Sequence, residues 1–202
     1  MNKRTFLSVA LRHRSDPFFR YYFRGRKVLD VGCGRGEFLA LDPRNFEGID
    51  IDGRLVSVCK AQGLRAIVGE AGRMAFRDET FEVVRAAQLI EHLRPEDAAQ
   101  FVAEAARVLT PGGCIYLTTP GVRNVWNTFS HARPYPPSAF KKLLTTPTES
   151  YVRPRALPLQ FENAWGTRRY VRNRWIARLA LTVDVVLPPS NPVGWTIVLR
   201  RL

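Results

Sequence analysis

Apolar and polar positions follow two patterns along the first 120 residues. Short runs of branched apolar residues predict strands, and longer stretches with apolar residues at helical spacing predict helices, the clearest over residues 95–109. The predicted strands begin at Val28, Phe46, Ala66, Phe81 and Cys114. Alternating strands and helices imply a parallel sheet with helices on both faces.

The pattern is less regular after residue 120. Helices are predicted over residues 138–144, with Ser138 as the cap, and over residues 175–187. A sixth strand is expected near residues 151–156, and the last strand over residues 195–200.

The chain before the first strand is rich in aromatic and basic residues. Residues 1–14 predict a loosely held basic arm, and Asp16 is expected to cap a short aromatic helix over residues 17–23. This helix either packs against the sheet or forms a lid over a ligand. Packing is the favoured interpretation, because so many aromatic side chains need cover.

The first predicted strand leads directly into a glycine-rich turn. Gly32, Gly34 and Gly36 alternate with other residues, and glycine allows both positive φ values and a close ligand approach. Glu37 stands where a dinucleotide fingerprint needs its third glycine, and the Gly-Lys-Ser/Thr ending of a phosphate loop is missing. The ligand is therefore neither of those two kinds.

An acid at the end of the second predicted strand fits a nucleotide-like ligand. Asp50 lies twenty residues after Asp30. At this distance a strand-helix-strand unit brings a carboxylate beside the ribose. The carboxylate can then accept hydrogen bonds from both ribose hydroxyls. Asp52 is expected to cap the next helix instead.

Composition indicates one α/β domain of 202 residues. No apolar run reaches membrane-spanning length, so a cytoplasmic location is expected. Cys33, Cys59 and Cys114 lack metal-ligand spacing, which predicts buried apolar residues and no metal site. The net charge of +13 is concentrated in residues 1–30 and 121–202, a distribution that suits an anionic partner or only a solvated face.

The run Asp30-x-Gly32-x-Gly34-x-Gly36 resembles motif I of class I S-adenosylmethionine-dependent methyltransferases. Further motifs of that family follow in the expected order. They are Asp50, Glu70 after the third strand, Phe81-Glu82-Val83 at the fourth strand, and Glu91-His92-Leu93 after it.

The resemblance implies a Rossmann-like methyltransferase fold. This is a doubly wound, mostly parallel seven-stranded sheet with helices on both faces and an antiparallel last strand. Residues 1–27 would form the basic arm and short helix, residues 28–120 the cofactor-binding core, and residues 121–202 the acceptor side and the last strands. Arg85, inside the fourth strand, is expected at the strand end with its guanidinium in water.

The resemblance also implies S-adenosyl-L-methionine as cofactor. Asp30 would hold its ammonium group, Asp50 the ribose and Glu70 the adenine amino group. The full set of implied contacts is Asp30, Gly32, Cys33, Gly34, Gly36, Asp50, Ile51, Glu70, Ala71 and Gln88.

Methyl transfer from a sulfonium is an in-line displacement that needs alignment and an acceptor with a free lone pair. His92 and His131 are the candidate general bases, because histidine takes up protons near neutral pH. The alternatives are a structural hydrogen bond for His92 and an exposed loop position for His131.

Missing motifs narrow the acceptor. The fourth strand lacks the Asn/Asp-Pro-Pro-Tyr motif of base amine methylation, and the loops after the fourth and fifth strands lack a cysteine for a covalent adduct. The remaining candidate acceptors are a hydroxyl, carboxylate, amine or carbon of a small molecule, lipid or saccharide. If the basic ends of the chain bind the acceptor, we expect the acceptor molecule to be anionic.

Other functions remain open. Cations and aromatics interleave over residues 168–178, as on surfaces that bind RNA or an anionic membrane. A cofactor-binding protein without transferase activity is a third alternative. The oligomeric state is not predicted.

Overall fold

The computed structural model describes residues 17–145, 157–167 and 192–202. Its strands are β1 (Val28–Val31), β2 (Phe46–Asp50), β3 (Ala66–Val68), β4 (Phe81–Ala87), β5 (Leu109–Pro120), β6 (Leu159–Thr167) and β7 (Gly194–Arg201). Its α-helices are α1 (Pro17–Tyr22), α2 (Gly53–Ala61), α3 (Pro95–Val108) and α4 (Pro137–Thr145). Single 3-10 turns cover Leu39–Leu41, Ile90–His92 and Val125–Asn127.

All seven strands belong to one sheet, in the order β3-β2-β1-β4-β5-β7-β6. The first five pair in parallel. β7 lies antiparallel between β5 and β6. The predicted doubly wound, mostly parallel sheet with an antiparallel last strand is confirmed.

Helices cover both faces of the sheet because successive strand residues point to opposite sides. On β4, Val83 packs in the cluster with α1 and α2, whereas Val84 packs in the cluster with α3 and α4. Both side chains are fully buried, as is usual for a parallel sheet.

Helix α1 is part of the core. Phe19 contacts the rings of Phe38 and Phe46, and Tyr22 contacts the ring of Tyr116 on β5. The packing interpretation of this helix is confirmed. The three cysteines are buried and free, also as predicted.

Two element boundaries differ from the prediction. β5 begins at Leu109 rather than Cys114, because Leu109 pairs with Phe81 ahead of a register shift. Helix α4 begins at Pro137, so Ser138 lies inside its first turn and is not the cap.

Several predictions fall on parts of the chain outside the described residues. They are the arm over residues 1–14, the cap at Asp16, the strand near residues 151–156, the basic and aromatic surface over residues 168–178 and the helix over residues 175–187. Across the described ranges, no helix is both long enough and apolar enough to span a bilayer.

Candidate cofactor and acceptor site

The predicted cofactor residues follow the carboxyl ends of neighbouring strands. The glycine turn follows β1, Asp50 ends β2, and Gln88 follows β4. Ligands of open parallel sheets bind beyond this edge. The fold therefore brings residues that are far apart in sequence to one place.

The glycine turn requires residues without a side chain. Gly32, Gly34 and Gly36 have φ values of 74°, 56° and 83°, which other residues rarely adopt. A Cβ on Gly36 would lie 2.6 Å from Leu64 Cδ1, whereas one on Gly34 would meet nothing within 4 Å. The turn is closed towards α2 at Gly36 and open at Gly34, where a ligand can approach the backbone.

Asp50 is fixed beside this open position. Its Oδ2 accepts the Gly34 N–H at 2.8 Å, and its Oδ1 accepts the Asp52 N–H at 2.9 Å. Each carboxylate oxygen can accept a further hydrogen bond. The arrangement suits a pair of ribose hydroxyls above the turn. Asp52 caps α2 by accepting the Arg54 N–H, as predicted.

Apolar side chains are exposed next to Asp50. Ile51 is 74% exposed and Val68, at the end of β3, is 56% exposed. They offer contact area to a flat ring. Glu70 lies beyond them, exposed, in an isolated backbone bridge with Arg73.

Two further predicted contacts, Cys33 and Ala71, are less exposed. Cys33 is 5% exposed, and its Sγ lies 2.6 Å from the position of a Cβ on Gly48. Its N–H donates to the Ile49 carbonyl and its carbonyl accepts the Gly36 N–H, so Cys33 shapes the turn. Ala71 is half-buried and packs against the core.

Gln88 has an unusual backbone conformation for a residue with a side chain. Its φ is 53°, and its N–H donates to the Thr118 carbonyl at 2.9 Å. Such positions cost of order 1–3 kcal/mol and concentrate at functional sites. The strain lies directly after β4, two residues before the 3-10 turn Ile90–His92.

Arg85 does not extend into water, and that prediction was wrong. It lies opposite Asp30 in the β1–β4 register, and its Nη1 donates to Asp30 Oδ1 at 2.5 Å. Its guanidinium also lies 4.0 Å from the ring centroid of Phe38. Burial raises the pKa of Asp30, and the Arg85 charge opposes that rise. Sequence reasoning missed this pair because strand register is not a local property.

A second group of polar side chains lies after β4. The backbone carbonyl of Glu91 accepts the Ala132 N–H at 2.7 Å, which brings the loop after β5 against the 3-10 turn Ile90–His92. The rings of His92 and His131 consequently meet edge to face, with centroids 4.7 Å apart. We call Glu91, His92 and His131 the Glu-His cluster.

Glu91 is fully buried, although the sequence assigned it no role beyond its motif. Neither of its carboxylate oxygens has a hydrogen-bond partner among the described residues. The buried Thr119 hydroxyl lies beside the carboxyl without reaching hydrogen-bond geometry. Burial raises the pKa of Glu91, and the two histidines oppose that rise.

Comparison with known proteins agrees with this geometry. Residues 29–117 match a family model described as a methyltransferase domain. Over 96 residues the chain is 32% identical to tRNA (carboxymethyluridine(34)-5-O)-methyltransferase of Arabidopsis thaliana, covering 46% of this chain and 24% of that one. Over 103 residues it is 34% identical to phthiotriol/phenolphthiotriol dimycocerosates methyltransferase 1 of Mycobacterium ulcerans, covering 46% of this chain and 37% of that one. It therefore spans well under half the length of these relatives.

A solved structure extends the likeness to the whole fold. A SAM-dependent methyltransferase from Archaeoglobus fulgidus aligns with a TM-score of 0.64 and 20% identity, over 97% of this chain and 94% of that chain. The seven-stranded sheet therefore has the Rossmann-like fold of solved methyltransferases. Residues 29–117 are therefore similar to a methyltransferase domain, and this matched segment is a little under half of the chain.

The methyltransferase domain that residues 29–117 match implies S-adenosyl-L-methionine as the cofactor, and the residues present fit it. The turn is open at Gly34, the Asp50 carboxylate lies beside that opening, and the exposed Ile51 adjoins it. The contacts of individual residues, including that of Asp30 with the ammonium group, stay predictions.

Proposed function

We propose that this protein transfers a methyl group from S-adenosyl-L-methionine to an acceptor that enters beside the Glu-His cluster. The observation that carries the proposal is the hydrogen bond from the Gly34 N–H to Asp50 at 2.8 Å, at the sheet edge that also bears the cluster. When bound there, the cofactor supplies an electrophilic methyl group. The reaction is an in-line displacement, in which alignment of the two reactants can contribute roughly 7–11 kcal/mol.

The histidines are oriented to take up a proton. His131 Nδ1 lies 2.6 Å from the Val125 carbonyl, and His92 Nδ1 lies 3.2 Å from the Ser130 carbonyl. Because a carbonyl only accepts, each Nδ1 carries a hydrogen, and in the neutral form of each ring the lone pair is on Nε2. Either Nε2 can act as the general base for an acceptor hydroxyl or amine.

Exposed apolar side chains support a small-molecule or lipid-like acceptor. Trp126 is 62% exposed and Phe129 fully exposed, both in the segment after β5 that contains His131. One relative, the Mycobacterium ulcerans enzyme, is named for a lipid acceptor. A hydroxyl, carboxylate, amine or carbon of a lipid, saccharide or other small molecule fits this surface.

RNA is the second candidate acceptor. The excess of basic residues after residue 120 and the name of the Arabidopsis thaliana relative favour it. Peripheral contact with an anionic membrane would use the same charges. We keep a cytoplasmic location as part of the proposal, testable by cell fractionation.

Calorimetry with S-adenosylhomocysteine tests the cofactor site. Binding at about one molecule per chain is expected, with a weaker affinity for Asp50→Ala. Asp42→Ala, a carboxylate in the turn before β2, is the matched control and should bind normally. A folded wild-type protein that takes up no S-adenosylhomocysteine contradicts the proposal.

Transfer of a labelled methyl group separates the acceptors. Incubation with lipid extract, with a mixture of small polar metabolites and with total RNA should label the lipid or small-molecule fraction. Label in RNA alone supports the second candidate. Cofactor binding without label in any fraction supports a protein without transferase activity.

A further inference from the structure

The Glu-His cluster has the composition and spacing of a metal site. Glu91, His92 and His131 each offer one ligand atom, and these three atoms lie within 4.8 Å of one another. Two imidazoles and one carboxylate form a donor set that divalent transition metals prefer. Geometry alone is not sufficient, because exposed polar groups often cluster without an ion.

A second, independent observation is the state of the Glu91 carboxyl. The side chain is fully buried, and no described residue donates a hydrogen bond to either oxygen. Buried polar atoms are nearly always satisfied, since an unpaired one costs a few kcal/mol. A bound cation would satisfy this carboxylate.

The histidines are held as metal ligands commonly are. A ligating imidazole usually donates its other N–H to a backbone carbonyl or a carboxylate, which fixes the tautomer. His92 and His131 do so through Nδ1 to the Ser130 and Val125 carbonyls. The Nε2 atoms are left as the two nitrogen ligands.

We infer that Glu91, His92 and His131 bind one divalent transition-metal ion, of the manganese, iron, cobalt or zinc class. With three protein ligands, coordination positions remain open for an oxygen of the acceptor. This last step rests on the proposed function. A metal-bound hydroxyl loses its proton at lower pH, so the ion would replace a free imidazole in activating it. The sequence predicts no metal site, because its cysteines lack metal-ligand spacing, so this inference departs from that prediction.

Binding of Mn²⁺ and Co²⁺ tests the inference directly. Full-length protein without a histidine tag is treated with chelator and titrated with Mn²⁺, with the free ion followed by electron paramagnetic resonance. Co²⁺ is followed by its visible absorption. One ion per chain is expected, with a Co²⁺ spectrum that indicates nitrogen ligands.

Three variants each remove one ligand and keep the shape. Glu91→Gln is nearly isosteric, and His92→Asn and His131→Asn keep an N–H donor for the Ser130 and Val125 carbonyls. Each should weaken Mn²⁺ binding by more than the roughly 10–100-fold typical of changes in outer-shell partners. Glu96→Gln, at an exposed carboxylate on α3, should bind as the wild type does.

Two results overturn the inference. One is that folded wild-type protein binds neither Mn²⁺ nor Co²⁺ stoichiometrically at millimolar concentrations of the ion. The other is binding that survives in all three variants. S-adenosylhomocysteine calorimetry on the same samples keeps the two proposals separate. A protein that binds metal but not the cofactor contradicts only the proposed function, and one that binds the cofactor but not metal contradicts only this inference. Circular dichroism verifies that each variant is folded.

Discussion

Asp30 and Arg85 show how a single residue pair supports the glycine turn. Asp30, two residues before Gly32, is 1% exposed, and the Arg85 guanidinium contacts both its carboxylate and the Phe38 ring. An ion buried this deeply needs its partner, because its desolvation is costly. The pair therefore fixes the end of β1, from which the turn starts.

Replacing Arg85 by methionine should destabilise the protein by about 3–5 kcal/mol, because it leaves the Asp30 carboxyl buried without a partner. Urea unfolding at neutral pH measures the change. The double variant Asp30→Asn/Arg85→Met should recover part of the loss, because it buries no charge.

The exposed pair of Arg94 and Asp97 is the control for that experiment. Exposed ion pairs contribute about 0–1 kcal/mol, so Arg94→Met should change the free energy of unfolding little. Equal losses for Arg85→Met and Arg94→Met would contradict the role assigned to the buried pair.

At the scale of residues, the sequence predicted those parts of the site that depend on neighbouring positions in the chain. Three alternate glycines and the acid at position 50 predict a turn and a carboxylate within one strand-helix-strand unit, and the structure places Asp50 on the Gly34 N–H. The Asp30–Arg85 pair depends on the register of two strands far apart in sequence. The Glu-His cluster forms because the loop after β5 packs against residues 90–92, and this contact between distant parts of the chain could not be predicted from local sequence.

At the scale of elements, α1 joins the fold through its aromatic side chains. Phe19→Ala should cost about 3–5 kcal/mol, because it leaves a cavity among Phe23, Phe38 and Phe46. Tyr21→Ala, at a side chain 64% exposed, is the control and should cost much less. Thermal and urea unfolding measure both, and a small effect of Phe19→Ala would mean that α1 is not part of the core.

Helix α3 holds the segment before β4 through one arginine. Arg107 donates to the Met74 and Phe76 carbonyls, and to the carboxylates of Asp78 and Glu104. Glu104 in turn accepts the Met74 N–H at 2.9 Å. These hydrogen bonds join residues 74–78 to the last turn of the helix.

This arrangement makes part of the stability depend on pH. Hydrogen bonding to Arg107 lowers the pKa of Glu104 below its ordinary value of 4.5. The carboxylate therefore stabilises the fold above pH 4.5, and this contribution is lost as the pH falls through the lower pKa of the folded state. Glu104→Gln should cost about 1 kcal/mol at neutral pH, and the difference from wild type should close in acid.

Urea unfolding of both proteins at several pH values measures this difference. Glu47→Gln, at a carboxylate with no hydrogen bond or ion pair to another described residue, should show a smaller pH-dependent difference. A Glu104→Gln difference that stays constant down to strongly acidic pH would contradict the assignment.

Elements with local signals were predicted, and those that depend on distant pairing were not. β1 to β4 are short branched runs bounded by turn residues, and each appears where expected. β6 was missed because a register shift between Phe161 and Asn163 breaks its alternation of apolar and polar residues. The early start of β5 follows from the pairing of Leu109 with Phe81, which no local pattern reveals.

At the scale of the whole molecule, cofactor binding should stabilise the fold. A ligand that binds only the folded state adds about 2.7 kcal/mol at a hundred times its dissociation constant. S-adenosylhomocysteine at that excess should raise the free energy of unfolding in urea by this amount. NAD at the same concentration should not, since Glu37 replaces the third glycine of the dinucleotide fingerprint. Equal stabilisation by both compounds would contradict the assigned specificity.

The position of β7 has a consequence for how the chain is made. Its residues 194–201 lie between β5 and β6. Until they are made, β5 is paired with β4 alone, and β6 has no paired strand among the described residues. During translation the edge of β5 that pairs with β7 stays unpaired until the ribosome has released those eight residues. A nascent chain stalled before them presents an open strand to other polypeptides, so chaperone demand should fall once residues 194–201 have been released.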